Sequence, residues 1–506
     1  MHLQTDAAMP KTPLTARQLA GRLLMVRFPG TELDAATADF LRSNAVRAVC
    51  LFRQNLINTD QTQRLTAALR AAMGPQALIA IDQEGGAVVR PTWLPPPPSA
   101  MALGAADDAA LARKVGAAVA RGIRALGFNW NFAPVLDLNN NPHNPVIAER
   151  SFGADPQRAA ALAIAWMEGS LSEGVACCIK HFPGHGDTHV DSHRALPTVD
   201  KSLAQLEALE FAPFKAAAPI APALMTAHIV YPALDAEFPA TLSRRILTGL
   251  LRDEWNYRGV VITDGMDMEA IAGVYGAGPA AVRALAAGAD MVMALGTPAT
   301  QEESLAVIAA AIESGALPRH EVDARLVRLA ALARQFPSTA GSYLLDGDDR
   351  QLMHAAWRSG LTTYGLPKAP PPGAKVRLVM RHDTVSDGVS EAGVPAASVA
   401  TALARLYQVE LLTFTEAESF DWSALPDDGR FVVLASSSRQ RYGPRARAEW
   451  RPDLHLALWN PFQALDIAAP ALLTYGFAPA ALDAVLAWLA GELDAPARCP
   501  VPGFED

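Results

Sequence analysis

"VACCIKHFPGHGDTHVDSH", residues 175–193, runs from five apolar residues straight into a lysine and a histidine. It then repeats histidine at every fourth position, as His181, His185, His189 and His193. Histidines four apart share a metal only on a helix, where both rings project from one face. Pro183, Gly184 and Gly186 interrupt that spacing, and both residue types break helices. The stretch reads as a buried strand followed by a loop, so the period of four carries no geometric meaning. Neither a metal nor a cofactor is expected.

The same pattern repeats outward. Apolar runs with strand character are "AVRAVCLF" (45–52), "ALIAIDQE" (77–84), "FNWNFAPVLD" (128–137), "ALMTAHIV" (223–230), "GVVITDG" (259–265) and "ADMVMAL" (289–295). Alanine- and leucine-rich stretches such as "DQTQRLTAALRAAM" separate them with helical character. Strands apolar on both faces and divided by helices imply a parallel sheet. Seven such units in about 320 residues suit a closed barrel of the (β/α)8, TIM type better than an open doubly wound sheet. The barrel is assigned to residues 1–345.

Residues 346–375 hold a helix, "QLMHAAWRSGLTTYG", and the proline-rich "LPKAPPPGAK" (366–375), which reads as a linker. A second series of short strands follows: 376–380, 409–414, 431–436, 454–460 and 471–476. Residues 376–506 are therefore expected to form a smaller α/β sandwich, doubly wound. No Walker or GxGxxG phosphate loop occurs in it.

Half of the 506 residues are hydrophobic and 19% are charged, enough for a large core. A net charge of -9 with scattered arginines and lysines argues against nucleic acid as a partner. Four cysteines (Cys50, Cys177, Cys178 and Cys499) show no CxxC spacing, which points to a reducing compartment. No apolar run reaches the ~18 residues of a membrane span, and the N-terminus lacks a basic-then-apolar leader. The expected location is the cytoplasm, with no membrane partner.

Barrel enzymes keep their chemistry at the C-terminal ends of the strands. Those ends carry Asp82 in "IDQEGG", Lys180 and His181 in "IKHFPG", His228 in "TAHIVY" and Asp264 in "ITDGMDM". Singly, each could cap a helix or sit hydrogen-bonded in the core; together they favour a site for a polar ligand. Asp191 next to His193 adds a carboxylate able to hold one ring nitrogen and leave the other free to exchange a proton.

"AIDQEGGAVVR" (80–90), "AERSFGADP" (148–156), "KHFPGHGDTHVDSH" (180–193), "MTAHIVYPALD" (225–235) and "GVVITDGMDM" (259–268) resemble glycoside hydrolase family 3. More narrowly they resemble its bacterial β-N-acetylglucosaminidases of the NagZ type, in a two-domain form. The resemblance implies a retaining hydrolase of terminal β-linked N-acetylglucosamine, with cell-wall muropeptide fragments as the expected substrate. It makes Asp264 the nucleophile, His193 the general acid/base and Asp191 its orienting partner. Asp82, Arg90, Arg150, Lys180 and His181 match positions that bind the sugar, and His228 lies in a matching strand-end motif. Arginines remain charged and can only donate to hydroxyls or carboxylates.

Three features depart from the pattern. Ala87 stands where the family commonly has arginine, and Gly265 where an acidic residue or alanine is usual, with Asp267 added nearby. Many NagZ-type chains also stop after the barrel. The rival readings are a family 3 β-glucosidase with an acid from the second domain (Glu391, Glu416 or Glu449), an N-acetylglucosaminide phosphorylase, and a silent sugar-binding protein. The sequence leaves the oligomeric state open.

Overall fold

The computed structural model describes residues 13–339 and 347–505. The runs expected as barrel strands all form strands: β2 (Ala48–Cys50), β3 (Leu78–Ile81), β4 (Trp130–Asn131), β5 (Ala176–Phe182), β6 (Ala223–Thr226), β7 (Val260–Gly265) and β8 (Met291–Ala294). An eighth strand, β1 (Leu24–Val26), closes the ring between β2 and β8, with all neighbours parallel. It escapes the sequence because three residues following a helix (Ala16–Arg22) show no period of their own. The chain thus forms the expected TIM-type barrel.

Local chemistry fixes the helices between the strands. Asp108 caps Ala109–Ala125 by accepting from the Leu111 N–H. Asp155 caps Pro156–Ser172, accepting from Gln157 and Arg158 with proline at the first helical position. The barrel core is continuous from Leu19 to Ala356.

The second sheet runs β11-β10-β12-β13-β14-β9. Its strands are β9 (Thr362–Tyr364), β10 (Lys375–Arg381), β11 (Gln408–Phe414), β12 (Phe431–Ser436), β13 (Leu454–Ala457) and β14 (Ala471–Leu473). The five expected strands are mutually parallel, and alternate residues of β10 face opposite ways. Val376, Leu378 and Met380 pack with Val399, Leu403 and Val485. Val379 packs with Phe414, Trp422 and Trp450 on the other face. Both faces are covered, as a doubly wound sheet requires.

The expected boundary at 345/346 lies outside the described residues. The helix read through Gly365 ends at Ser359. Gly360 and the β-branched pair Thr362–Thr363 then favour extended chain, and β9 adds an antiparallel edge to β14. Among the described residues no single helix is long and apolar enough to cross a membrane.

Candidate active site

The strand ends converge on a cavity of about 160 Å³ at the C-terminal mouth of the barrel, large enough for one pyranose. Asp82, Arg90, Arg150, Lys180, His181, His193 and Asp264 all line it. Its apolar walls come from Phe132, Met225 and Met293, among others.

Asp264 is the penultimate residue of β7, and its own Oδ1 accepts from the Gly265 N–H at 2.7 Å. Burial alone would raise its pKa. The imidazoles of His181, His228 and His193 and the Gly265 N–H outweigh burial and hold it at about 2. The carboxylate is therefore ionised near neutrality.

His193 faces the same cavity from the loop after β5. Its Nδ1 lies 2.8 Å from Asp191 Oδ1, which also accepts the His193 backbone N–H at 3.0 Å. Nε2 is thus directed away from Asp191. Burial opposes the charged ring, but the bond to Asp191 and the charges of Asp264 and Asp191 raise its pKa overall. Asp191 itself, despite burial, is held down to about 2 by His193.

A charged network forms the cavity floor. Lys180 Nζ bonds Asp82 Oδ1 at 2.7 Å and Glu84 Oε1 at 2.6 Å. Arg150 grips Glu84 with two bonds, of 2.8 and 2.9 Å. Burial pushes the Glu84 carboxyl up, yet Arg150 and Lys180 pull it well below the carboxylate range. Sequence reading passed over Glu84, two residues beyond Asp82 in the same motif. It also passed over Asp137, whose Oδ2 lies 2.6 Å from His181 Nδ1, and whose Oδ1 accepts the backbone N–H groups of His181 and His185 at 3.0 and 2.6 Å. Glu84 lies three residues past β3, and Asp137 closes the apolar run 128–137 that contains β4, a signal like the one that marked Asp82.

The four regularly spaced histidines go separate ways. His181 joins Asp137, His185 bonds Thr188 and Ser192, His189 faces Asn141, and His193 joins Asp191. Gly186 lets this loop lie against the Leu138 backbone, where any Cβ would fall 1.5 Å from the Leu138 oxygen.

His228 is placed differently from expectation. It is fully buried and absent from the cavity wall. Its Nε2 lies 2.9 Å from the Gly265 carbonyl and its Nδ1 2.8 Å from Thr241 Oγ1. Both nitrogens are occupied, so it supports the backbone beside Asp264 and has no free group for a ligand.

The second domain reaches the cavity through the loop after β10, whose Gly388 and Val389 line it. The Glu391 N–H donates to the Ala87 carbonyl at 2.8 Å, and its Oε1 takes Arg90 Nη1 at 3.0 Å. Ala87, one of the departures, is buried beneath this loop. Asp267 lies at the cavity edge, 3.9 Å from Arg27. Glu416 and Glu449 are engaged elsewhere, with Arg381 and Arg445.

Residues 15–332 match the glycosyl hydrolase family 3 N-terminal domain. The chain is 39% identical over 325 residues to a β-hexosaminidase of Chromobacterium violaceum, covering 62% of this chain and 87% of that protein. It is 34% identical over 381 residues to β-hexosaminidase A of Pseudoalteromonas piscicida, covering 66% of this chain but only 64% of that longer protein. A solved family 3 β-N-acetylglucosaminidase from Paenibacillus sp. str. FPU-7 superposes with a TM-score of 0.87 at 32% identity, covering 97% of this chain and 99% of that one. The second domain is therefore shared with that structure.

Proposed function

The chain belongs to glycosyl hydrolase family 3, and from that premise we propose that it is a retaining exo-β-N-acetylglucosaminidase working through Asp264, His193 and Asp191. One observation carries the reading. A carboxylate held at about pKa 2 and an imidazole backed by its own carboxylate face one cavity of single-sugar size. Retaining hydrolysis needs that pairing of nucleophile and proton donor.

In the first step an Asp264 oxygen attacks the anomeric carbon and the bond to the leaving oxygen breaks, while His193 Nε2 delivers a proton to that oxygen. In the second, water attacks the same carbon, His193 takes its proton, and Asp264 leaves. Asp191 holds the proton on Nδ1 throughout, so that Nε2 does the exchange. Asp82, Glu84 and Arg90 suit sugar hydroxyls, and Arg150, Lys180 and His181 complete the subsite. The relatives' name supports the acetamido sugar. Muropeptide fragments and the cytoplasm complete the reading; they rest on the NagZ-type resemblance and on cysteines used as buried packing residues, such as Cys177 and Cys178 on β5.

The test is release of p-nitrophenol from the β-N-acetylglucosaminide and the β-glucoside, in phosphate and in phosphate-free buffer, by wild type, Asp264→Asn and His193→Ala. Strong preference for the acetamido sugar, with both variants crippled and free N-acetylglucosamine as product, is expected. A 1-phosphate product would instead indicate phosphorolysis. A second reading, glucoside hydrolysis with Glu391 as acid, has the nearness of Glu391 to the cavity in its favour. It requires glucoside turnover that survives His193→Ala and fails in Glu391→Gln.

A further inference from the structure

Asp191 and His193 are partly exposed, with side chains 19% and 42% accessible, yet Ser192 between them is only 2% accessible. Its hydroxyl points inward to His185 Nε2 at 3.0 Å, and its carbonyl accepts the Ala270 N–H at 3.3 Å. Ala270 stands in the helix Glu269–Tyr275, which follows the Asp264 strand. One residue thus ties the dyad both to the loop base and to the helix that follows the nucleophile's strand.

The loop base is fixed independently. Asn144 Nδ2 donates to the carbonyls of His185 and Gly186 and to Thr188 Oγ1, at 2.9–3.1 Å. Asp137 accepts the His185 N–H. His185 is therefore a rigid post: its backbone is held twice and its ring is buried. Thr188 Oγ1 lies 3.2 Å from the His185 carbonyl, to which it can only donate. Having given its proton there, it accepts from His185 Nδ1 at 3.0 Å. In that arrangement the ring proton sits on Nδ1 and Nε2 accepts from Ser192. Burial holds the His185 pKa down to about 4, which keeps this lone pair unprotonated near neutrality.

We propose that Ser192 and His185 form a latch that positions the Asp191–His193 dyad over the leaving-group oxygen, acting only on the proton-transfer part of the reaction. Neither residue lines the cavity, so both are positioning residues. The inference rests on His193 being the general acid. Without the latch, the loop tip keeps one backbone bond to Ala270, and His193 samples positions out of reach. A misplacement of about 1 Å is enough to lose on the order of a hundredfold.

The leaving group separates this from general damage to the fold. A 2,4-dinitrophenolate departs without a proton, whereas a sugar alkoxide needs one. The quantity to compare is kcat/KM, which reports the glycosylation step alone. For Ser192→Ala we expect a fall of tenfold or more on the N-acetylglucosamine disaccharide and less than about threefold on the dinitrophenyl glycoside. Ser192→Thr, which keeps the hydroxyl, should recover most of the disaccharide activity, and His185→Phe should behave like Ser192→Ala. Equal losses on both substrates, or no loss on either, would overturn the latch. His193→Ala run alongside keeps the two ideas apart. If it shows no leaving-group dependence, the dyad assignment fails; if it does and Ser192→Ala does not, only the latch fails.

Discussion

Arg90 of the barrel and Glu391 of the second domain, 301 positions apart in sequence, meet at 3.0 Å beside the cavity at the barrel mouth. Arg90 also lies 3.9 Å from Asp82, and its buried Nε has no partner. Its orientation is thus set from both domains. Glu391→Gln keeps the shape and removes the charge. A hydrogen bond to a charged group contributes about 1.5–3 kcal/mol, and part of that orients Arg90. KM should rise roughly tenfold, about 1.4 kcal/mol, with kcat changed much less. Loss of kcat with KM unchanged would instead give Glu391 a part in the chemistry.

Arg439, just past β12, clamps the same loop. It bonds Glu149 at 2.8 Å, Ser390 Oγ at 2.6 Å and Asp387 at 3.1 Å, and both Arg439 and Glu149 are buried. Glu149 precedes the cavity residue Arg150. Removing one partner of a buried pair typically costs about 3–5 kcal/mol, because the other charge stays buried and unpaired. Arg439→Ala should lower stability by about that amount in denaturant unfolding of the full chain, and Glu149→Gln in the same background should recover part of it. An Arg439→Ala midpoint equal to wild type would mean the clamp contributes nothing.

These two contacts mark the limit of what the sequence discloses. The barrel was legible because apolar strand runs alternate with helical stretches, and Asp82, Lys180, His181 and Asp264, at the ends of three of those runs, do share one cavity. β1 was not, since three residues carry no period. His228 looked like its strand-end neighbours, but its direction depends on Thr241 and the Gly265 carbonyl, which only the fold supplies. Glu391 stood out as an acidic residue, but its meeting with Arg90 is a long-range fact of domain packing. Nothing in the local sequence distinguishes Arg439 from the other arginines around it.

The pH dependence of kcat/KM follows from the two ionisations. In the proposed mechanism the first step needs Asp264 as carboxylate and His193 as imidazolium. Asp264 is held at about 2, so it stays ionised down to that pH and sets no limb above it. The His193 pKa is raised above the ordinary histidine value, so activity is present below it and is lost as pH rises through it. Asp191→Asn removes the strongest upward influence and should move the alkaline limb to lower pH, with a lower plateau. A limb that stays in place in Asp191→Asn would assign it to some group other than His193.

Asp137 offers the sharpest separation of folding from function. Its buried carboxylate accepts three donors: the backbone N–H groups of His181 and His185, and His181 Nδ1–H. His181 Nε2 therefore faces the cavity without the ring's proton when the ring is neutral. Asp137→Ala strands all three buried donors and should lower stability by about 3 kcal/mol or more. In Asp137→Asn the amide oxygen can keep both backbone bonds while its NH2 faces Nδ1, which reverses the His181 tautomer and puts the proton on Nε2. Stability should then fall by only about 1 kcal/mol, while kcat/KM falls by on the order of a hundredfold. Thermal unfolding and kinetics on the same preparations check both halves. An Asp137→Asn enzyme with near wild-type turnover would show that His181 meets the sugar through contacts indifferent to its tautomer.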